Sequence, residues 1–177
     1  MDEQLPDSDA VLPNKLGITD PEVLKTAEAE ICHIRTVELA VKPVGGAFDF
    51  AGKVRTVDMS KGHTTFCRAA YIDASQRRLF GELRIECFLR GLGKPELARR
   101  LAYYASELNA IHPFRDGNGR AIRIFLQQLA ASAGYDLAYR DADEEGLMRA
   151  DIAAFGGNYE QLESIYASIL HPLSGHS

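Results

Sequence analysis

Apolar residues recur every three or four positions along most of this chain, and every second position in only one short stretch. Residues 1–18 are polar, interrupted by Pro6, Pro13 and Gly17, and read as a flexible leader. Thr19 or Asp20 then suits a helix cap, with Pro21 at the first helical position and Glu22 in the first turn. Leu24, Ala27, Ile31 and Ile34 share one face of that helix, which runs to about Val41 before Gly45 and Gly46 break it. The period changes to two in KVRTVDM, residues 53–59, a β-branched alternation bounded by the turn signal Lys61-Gly62. Thr64, Thr65, Phe66 and Cys67 offer the return strand, so this is the one β-hairpin the pattern predicts.

Beyond the hairpin every element reads as helical. Leu79, Phe80, Leu83 and Phe88 place a helix over 72–90, closed by Gly91 and Gly93. Pro95 opens another, with Leu97, Leu101, Tyr104, Leu108 and Ile111 at helical spacing. A helix follows from Asn118 to about Ala133, stopped by Gly134, and two more over 143–154 and 159–170, parted by Gly156-Gly157. Residues 171–177 read as a disordered tail. The fold class is all-α, a helical domain over 19–170 with one protruding hairpin.

Composition changes this picture little. With 177 residues, 46% hydrophobic and 25% charged, the chain suits one ordinary globular domain. A net charge of −5 argues against nucleic acid or an anionic membrane as partner, and no apolar run approaches the ~20 residues of a membrane span. Cys32, Cys67 and Cys87 lack metal-ligand spacing; with no secretory signal they suit reduced thiols in the cytoplasm.

The chemistry concentrates in residues 112–123, HPFRDGNGRAIR. A helix start leaves N–H groups unpaired and carries partial positive charge, and glycine lets that backbone approach a ligand. Gly117, Asn118 and Gly119 therefore read as an anion site, to which Arg120 and Arg123 add full charge. Asp116 would sit badly beside a bare phosphate, but suits a divalent cation bridging phosphate oxygens, Mg²⁺ above all. His112 is the group whose ordinary pKa, ~6.5, fits proton uptake near neutral pH. Taken singly these have bland readings: DGNG is a turn, a histidine before proline a helix end, two arginines a solvated face. Their coincidence within twelve residues points to phosphoryl or nucleotidyl transfer from a Mg²⁺-nucleotide to a hydroxyl activated by His112.

HPFRDGNGRAIR resembles the signature of Fic-domain proteins, HxFx(D/E)GNGRxxR, with every specified position filled, and the likeness extends from KVRTVDMSKG to the C-terminal helices. The resemblance implies the Fic fold and AMP transfer from ATP to a protein Tyr, Ser or Thr. It assigns His112 as base and Asp116 as the Mg²⁺ holder. Gly117, Asn118 and Gly119 would form the anion hole, with Arg120 and Arg123 on the phosphates. It makes the hairpin, about 53–67, a flap whose Met59–Phe66 stretch takes the target's backbone as an added strand, with Lys61, Gly62 and Asn109 close to the nucleotide. For Lys61-Gly62 a plain turn is the competing reading.

The kinase branch resembling Doc toxins carries Ala-Asn-Lys where this chain has Gly117-Asn118-Gly119-Arg120, which disfavours phosphorylation; transfer of UMP or phosphocholine is compatible with the loop. The inhibitory helix of many relatives, Ser/Thr-x-x-x-Glu-Gly/Asn, has its nearest match at Thr26 to Glu30, but Ile31 follows, so no internal brake is expected. The resemblance is then to the toxin of a toxin–antitoxin pair, with a small antitoxin supplying a Glu opposite Arg123, and DNA gyrase B and topoisomerase IV as targets. One departure stands out: Phe48-Asp49-Phe50 runs directly into Ala51-Gly52-Lys53, where relatives carry a further helix and a Trp. This motivates the alternative of an impaired nucleotide- or antitoxin-binding module. A Mg²⁺-dependent phosphatase or kinase is a third reading, weakened because no second carboxylate stands near Asp116 in sequence.

Overall fold

A computed structural model describes residues 19–20, 53–62 and 64–173. The first helix expected beyond Asp20, the Thr26–Glu30 stretch, the junction before Ala51 and the last four residues lie outside the described residues.

The hairpin pairs β1 (Ser60–Lys61) with β2 (Thr64–Thr65), Ser60 opposite Thr65 and Lys61 opposite Thr64, with Gly62 at φ +58° in the turn. It is shorter than its alternation predicts. Over 53–59 the chain is irregular, its β pairing among the described residues limited to an isolated bridge between Val54 and Phe114. The reason is that neither face of this stretch lies against an apolar layer: Val54 is exposed, while the polar Arg55 is buried.

The helical body is α1 (Ile72–Ile85), α2 (Lys94–Ile111), α3 (Asn118–Ser132), α4 (Glu144–Phe155) and α5 (Glu160–Ile169). Asp73 in the first turn of α1 and Arg84 in its last complement the helix dipole. That helix ends five residues early. Cys87, Phe88 and Leu89 turn into left-handed backbone, which exposes Phe88 and buries Leu89 completely, so the core residue here is the one the helical spacing passed over. α2 is the central element. Its buried positions, among them Leu97, Ala98, Leu101, Ala102, Tyr104, Ala105 and Leu108, occupy more than one face, and it packs against α1, α3, α4 and α5. Three alanines among them let neighbouring helices approach closely. Each fully buried leucine of this core stabilises the fold by ~1.5–3 kcal/mol.

A second β pair was invisible to periodicity. β3 (Tyr135–Leu137) runs antiparallel to β4 (Leu170–Pro172), and the Leu173 N–H donates to the Gly134 carbonyl at 2.9 Å. His171 and Pro172 therefore belong to a strand and not to a disordered tail. Three-residue strands are too short to show alternation; what holds them is the burial of Leu137 and Leu170. Among the described residues no helix is long and apolar enough to cross a membrane.

Candidate functional site

The last carbonyls of a helix ordinarily lack partners. At the end of α2 every carbonyl from Leu108 to Pro113 has one. Leu108 accepts from the His112 N–H at 3.0 Å, and Asn109 from His112 Nδ1 at 3.3 Å. Ala110 accepts from the Cys67 N–H at 2.9 Å. Ile111 and His112 accept from Arg55 Nη2 at 3.2 Å and Nε at 2.8 Å, and Pro113 from the Arg55 N–H at 2.8 Å. The flap thus caps the helix.

Capping leaves His112 itself in the left-handed region, φ +47° and ψ +60°, where a non-glycine residue is strained by ~1–2 kcal/mol. Its ring stacks on Phe66, centroids 3.8 Å apart and planes 13° from parallel, and Phe66 meets Phe155 edge-on. Because the Asn109 carbonyl only accepts, Nδ1 carries the proton, and among the described residues the Nε2 lone pair has no hydrogen-bond partner. Burial holds the imidazole pKa below its ordinary 6.5; the Asn109 bond opposes this, Arg55 and Lys61 reinforce it, and Asp116 opposes it weakly. The ring is therefore neutral at pH 7.

The other end of the loop is closed locally. The Asn118 side chain is buried, accepting from the Phe114 N–H at 3.0 Å and donating to the Phe114 carbonyl at 2.7 Å. Gly117, at φ +78°, precedes α3 in a conformation that favours glycine. Among the described residues no side chain caps this helix start, so its first turn presents backbone N–H groups. Of the three residues expected in the anion hole, Asn118 offers backbone only, since its side chain holds the loop.

Asp116 and Arg120 are exposed and joined by an ion pair of 3.1 Å. Among the described residues no group of three or more His, Cys, Asp or Glu could enclose a metal. A single accessible carboxylate still fits Mg²⁺, which keeps waters and takes further oxygens from bound phosphates.

Arg123 lies beside the start of α3. It lines a cleft with Asn109, Gly119, Tyr139, Asp151 and Tyr166, its guanidinium carbon 5.7 Å from the Tyr139 ring centre. Tyr139 bonds Tyr166, oxygen to oxygen, at 3.2 Å. Burial lifts the Asp151 carboxyl from 3.8 to about 6, against the opposing pull of Arg123. Asn109, Gly119 and Arg123, expected near one another from the sequence, do share this cleft. Lys61 lies near enough for its charge to act on His112, while Gly62 forms the hairpin tip.

Three participants escaped sequence reasoning: Arg55, Phe66 as the imidazole's stacking partner, and Asp151. Arg55 left a faint trace, a charged residue inside a β-branched run. Asp151 left none, since aspartate on a helix reads as solvent-facing.

The Fic/DOC family model matches residues 25–130. The chain is 34% identical to protein adenylyltransferase VbhT of Bartonella schoenbuchensis over 88% of its own length, spanning only 36% of that relative. It is 33% identical to "Probable protein adenylyltransferase Fic" of Escherichia coli K12, over 90% of this chain and 88% of the relative. Among solved structures, it superposes with TM-score 0.82 on the N-terminal Fic domain of a VirB-translocated Bep effector protein from Bartonella quintana with bound ADP. That pair is 25% identical, covering 96% of this chain and 95% of the other.

Proposed function

This chain belongs to the Fic/DOC family, and we propose that it transfers the AMP of ATP to a hydroxyl side chain of a protein. The observation that carries the reading is His112. Its ring is fixed by stacking and by its Nδ1 bond, its Nε2 has no hydrogen-bond partner among the described residues, and α3 starts six residues later with no side-chain cap. A target hydroxyl gives its proton to Nε2 as its oxygen bonds the α-phosphorus of ATP. The bond from that phosphorus to the bridging β-phosphate oxygen breaks, and pyrophosphate leaves with the electron pair. The first-turn N–H groups of α3 and the cations of Arg120 and Arg123 offset the phosphate charge. A positioned base supplies ~10²–10⁴-fold, so most of the acceleration comes from this charge stabilisation and from alignment. Mg²⁺ held by Asp116 would supply further neutralisation of the phosphates.

The hairpin β1–β2 gives the target a short edge to join as an added strand. The same reading makes the protein a growth-inhibiting cytoplasmic toxin, with DNA gyrase B and topoisomerase IV as targets. Restraint would come from a small antitoxin whose Glu opposes Arg123. The complete motif and the relatives' names as adenylyltransferases support the AMP transfer itself.

The test mixes the protein with ATP labelled at the α-phosphate, Mg²⁺ and bacterial lysate, beside His112→Ala. A labelled band the size of gyrase B, absent with the variant, is expected. Labelling that survives His112→Ala would refute the mechanism. Folded protein that binds ATP and labels nothing would favour the binding module motivated by the junction before Ala51. Because burial lowers the His112 pKa, transfer is expected to persist down to pH 6.5 and to fall only below it.

A further inference from the structure

We propose that Arg55 is a positioning residue that locks the flap to the end of α2, fixing where a strand laid on the flap meets Nε2 of His112. The inference rests on the transferase reading for its functional meaning, but its geometry stands apart from it.

Arg55 is 3% exposed, and its guanidinium serves four backbone carbonyls. Two belong to the legs of the flap: Nη1 donates to Val57 at 2.7 Å, and Nη2 to Cys67. Two belong to the helix end: Nη2 also donates to Ile111 at 3.2 Å, and Nε to His112 at 2.8 Å. With its own N–H on Pro113 and the neighbouring Cys67 N–H on Ala110, one residue joins both flap legs to three consecutive residues around the base. Lysine has no planar fork and cannot serve carbonyls in four directions at once.

Among the described residues Arg55 forms no ion pair. Asp58 acts on it only at a distance, while the Asp58 carboxylate accepts from the Ala69 N–H at 2.7 Å. A buried cation answered only by carbonyl dipoles is a costly way to fill space, and an apolar side chain of similar volume would avoid the desolvation. What the arginine adds is geometry. His112 stays in its strained left-handed conformation because the surrounding bonds leave it no other, and release would let ring and flap move independently. A displacement of about 1 Å at a reacting group is enough for ~100-fold in rate.

The charge matters as well. The groups acting on the imidazole are Arg55 and Lys61, which oppose its protonation, and Asp116 and the Asn109 carbonyl, which favour it. Removing the Arg55 charge therefore moves the His112 titration to higher pH, whereas a lysine at 55 keeps it near its original place.

The experiment compares wild type, Arg55→Lys and Arg55→Met, measuring kcat and KM for ATP against pH, and the His112 titration by NMR. Both variants are expected to lose ~100-fold in kcat with KM for ATP within about twofold, since among the described residues the hydrogen bonds of Arg55 go to the flap and to residues 111–113, not to α3 or Arg123. The His112 titration moves upward in Arg55→Met only. Wild-type kcat in Arg55→Lys, or identical titrations in all three proteins, would overturn the proposal; so would a parallel loss of ATP binding and thermal stability in both variants, which marks a purely structural role. If the wild type itself transfers no AMP, the transferase reading fails separately. The NMR titration and the amide shifts of residues 108–113 then still decide whether Arg55 locks the flap to the helix end.

Discussion

The two ends of the 112–119 loop are held by opposite means. At the α3 end the loop closes on itself, Asn118 reaching back four residues to both backbone groups of Phe114. At the α2 end nothing local suffices: Ala110, Ile111, His112 and Pro113 are bonded by Arg55 and Cys67, more than forty residues away in sequence. The local latch shapes a cradle that backbone N–H groups line. The distant one ties the base to the surface on which a target strand would lie. A loop held in this way has a phosphate side that forms by itself and a base side that depends on the flap.

The largest effect on stability should come from breaking the local latch. Asn118→Leu strands the N–H and carbonyl of Phe114 in a partly buried setting, and each unmet group costs ~1–3 kcal/mol at full burial. A loss of roughly 2–4 kcal/mol in urea denaturation is expected, with nucleotide binding lost alongside. If stability held, the latch would not be what shapes the cradle.

Next comes Asp151, which lines the cleft beside Arg123. The Asp151 pKa is raised on folding, from 3.8 to about 6, so the folded state is unpenalised below pH 4 and loses stability as pH rises towards 6. Asp151→Asn removes that penalty. The variant should match wild type in acid and exceed it above pH 6 by on the order of 1–3 kcal/mol, read from melts across pH. A pH-independent difference would show that Asp151 is not held as described.

Smaller still is the ring stack at the α2 end. Phe66→Leu keeps most of the apolar volume but removes the face against His112, costing about 0.5–1.5 kcal/mol. The His112 titration should also move back towards its ordinary value as water reaches the ring, a shift visible by NMR. Least of all, Arg120→Gln breaks an exposed ion pair and should change stability by under about 0.5 kcal/mol, while weakening ATP binding at the phosphates. A large stability loss there would make Arg120 part of the latch.

How much of this was legible beforehand follows the same division. The helices α2 to α5, the glycine breaks and the residues of the loop were readable because each depends on spacing within a few residues. The early end of α1 was not, because what decides it is which of Phe88 and Leu89 the core accepts. The β3–β4 pair was not, because three-residue strands are selected by a partner more than thirty residues away.

By itself the sequence determined the helical class, the hairpin's place, the family signature and the chemistry the loop can offer: glycines for backbone approach, cations for phosphate, an imidazole for a proton. Only tertiary structure decided how these are set. It buried Arg55 against four carbonyls, turned the Asn118 side chain inward, oriented the His112 ring so that Nδ1 meets the Asn109 carbonyl, and raised the Asp151 pKa. The physical reason is that residue type fixes which bonds a side chain can make. Burial and the partners brought by distant segments fix which of them it does make, and in what charge state.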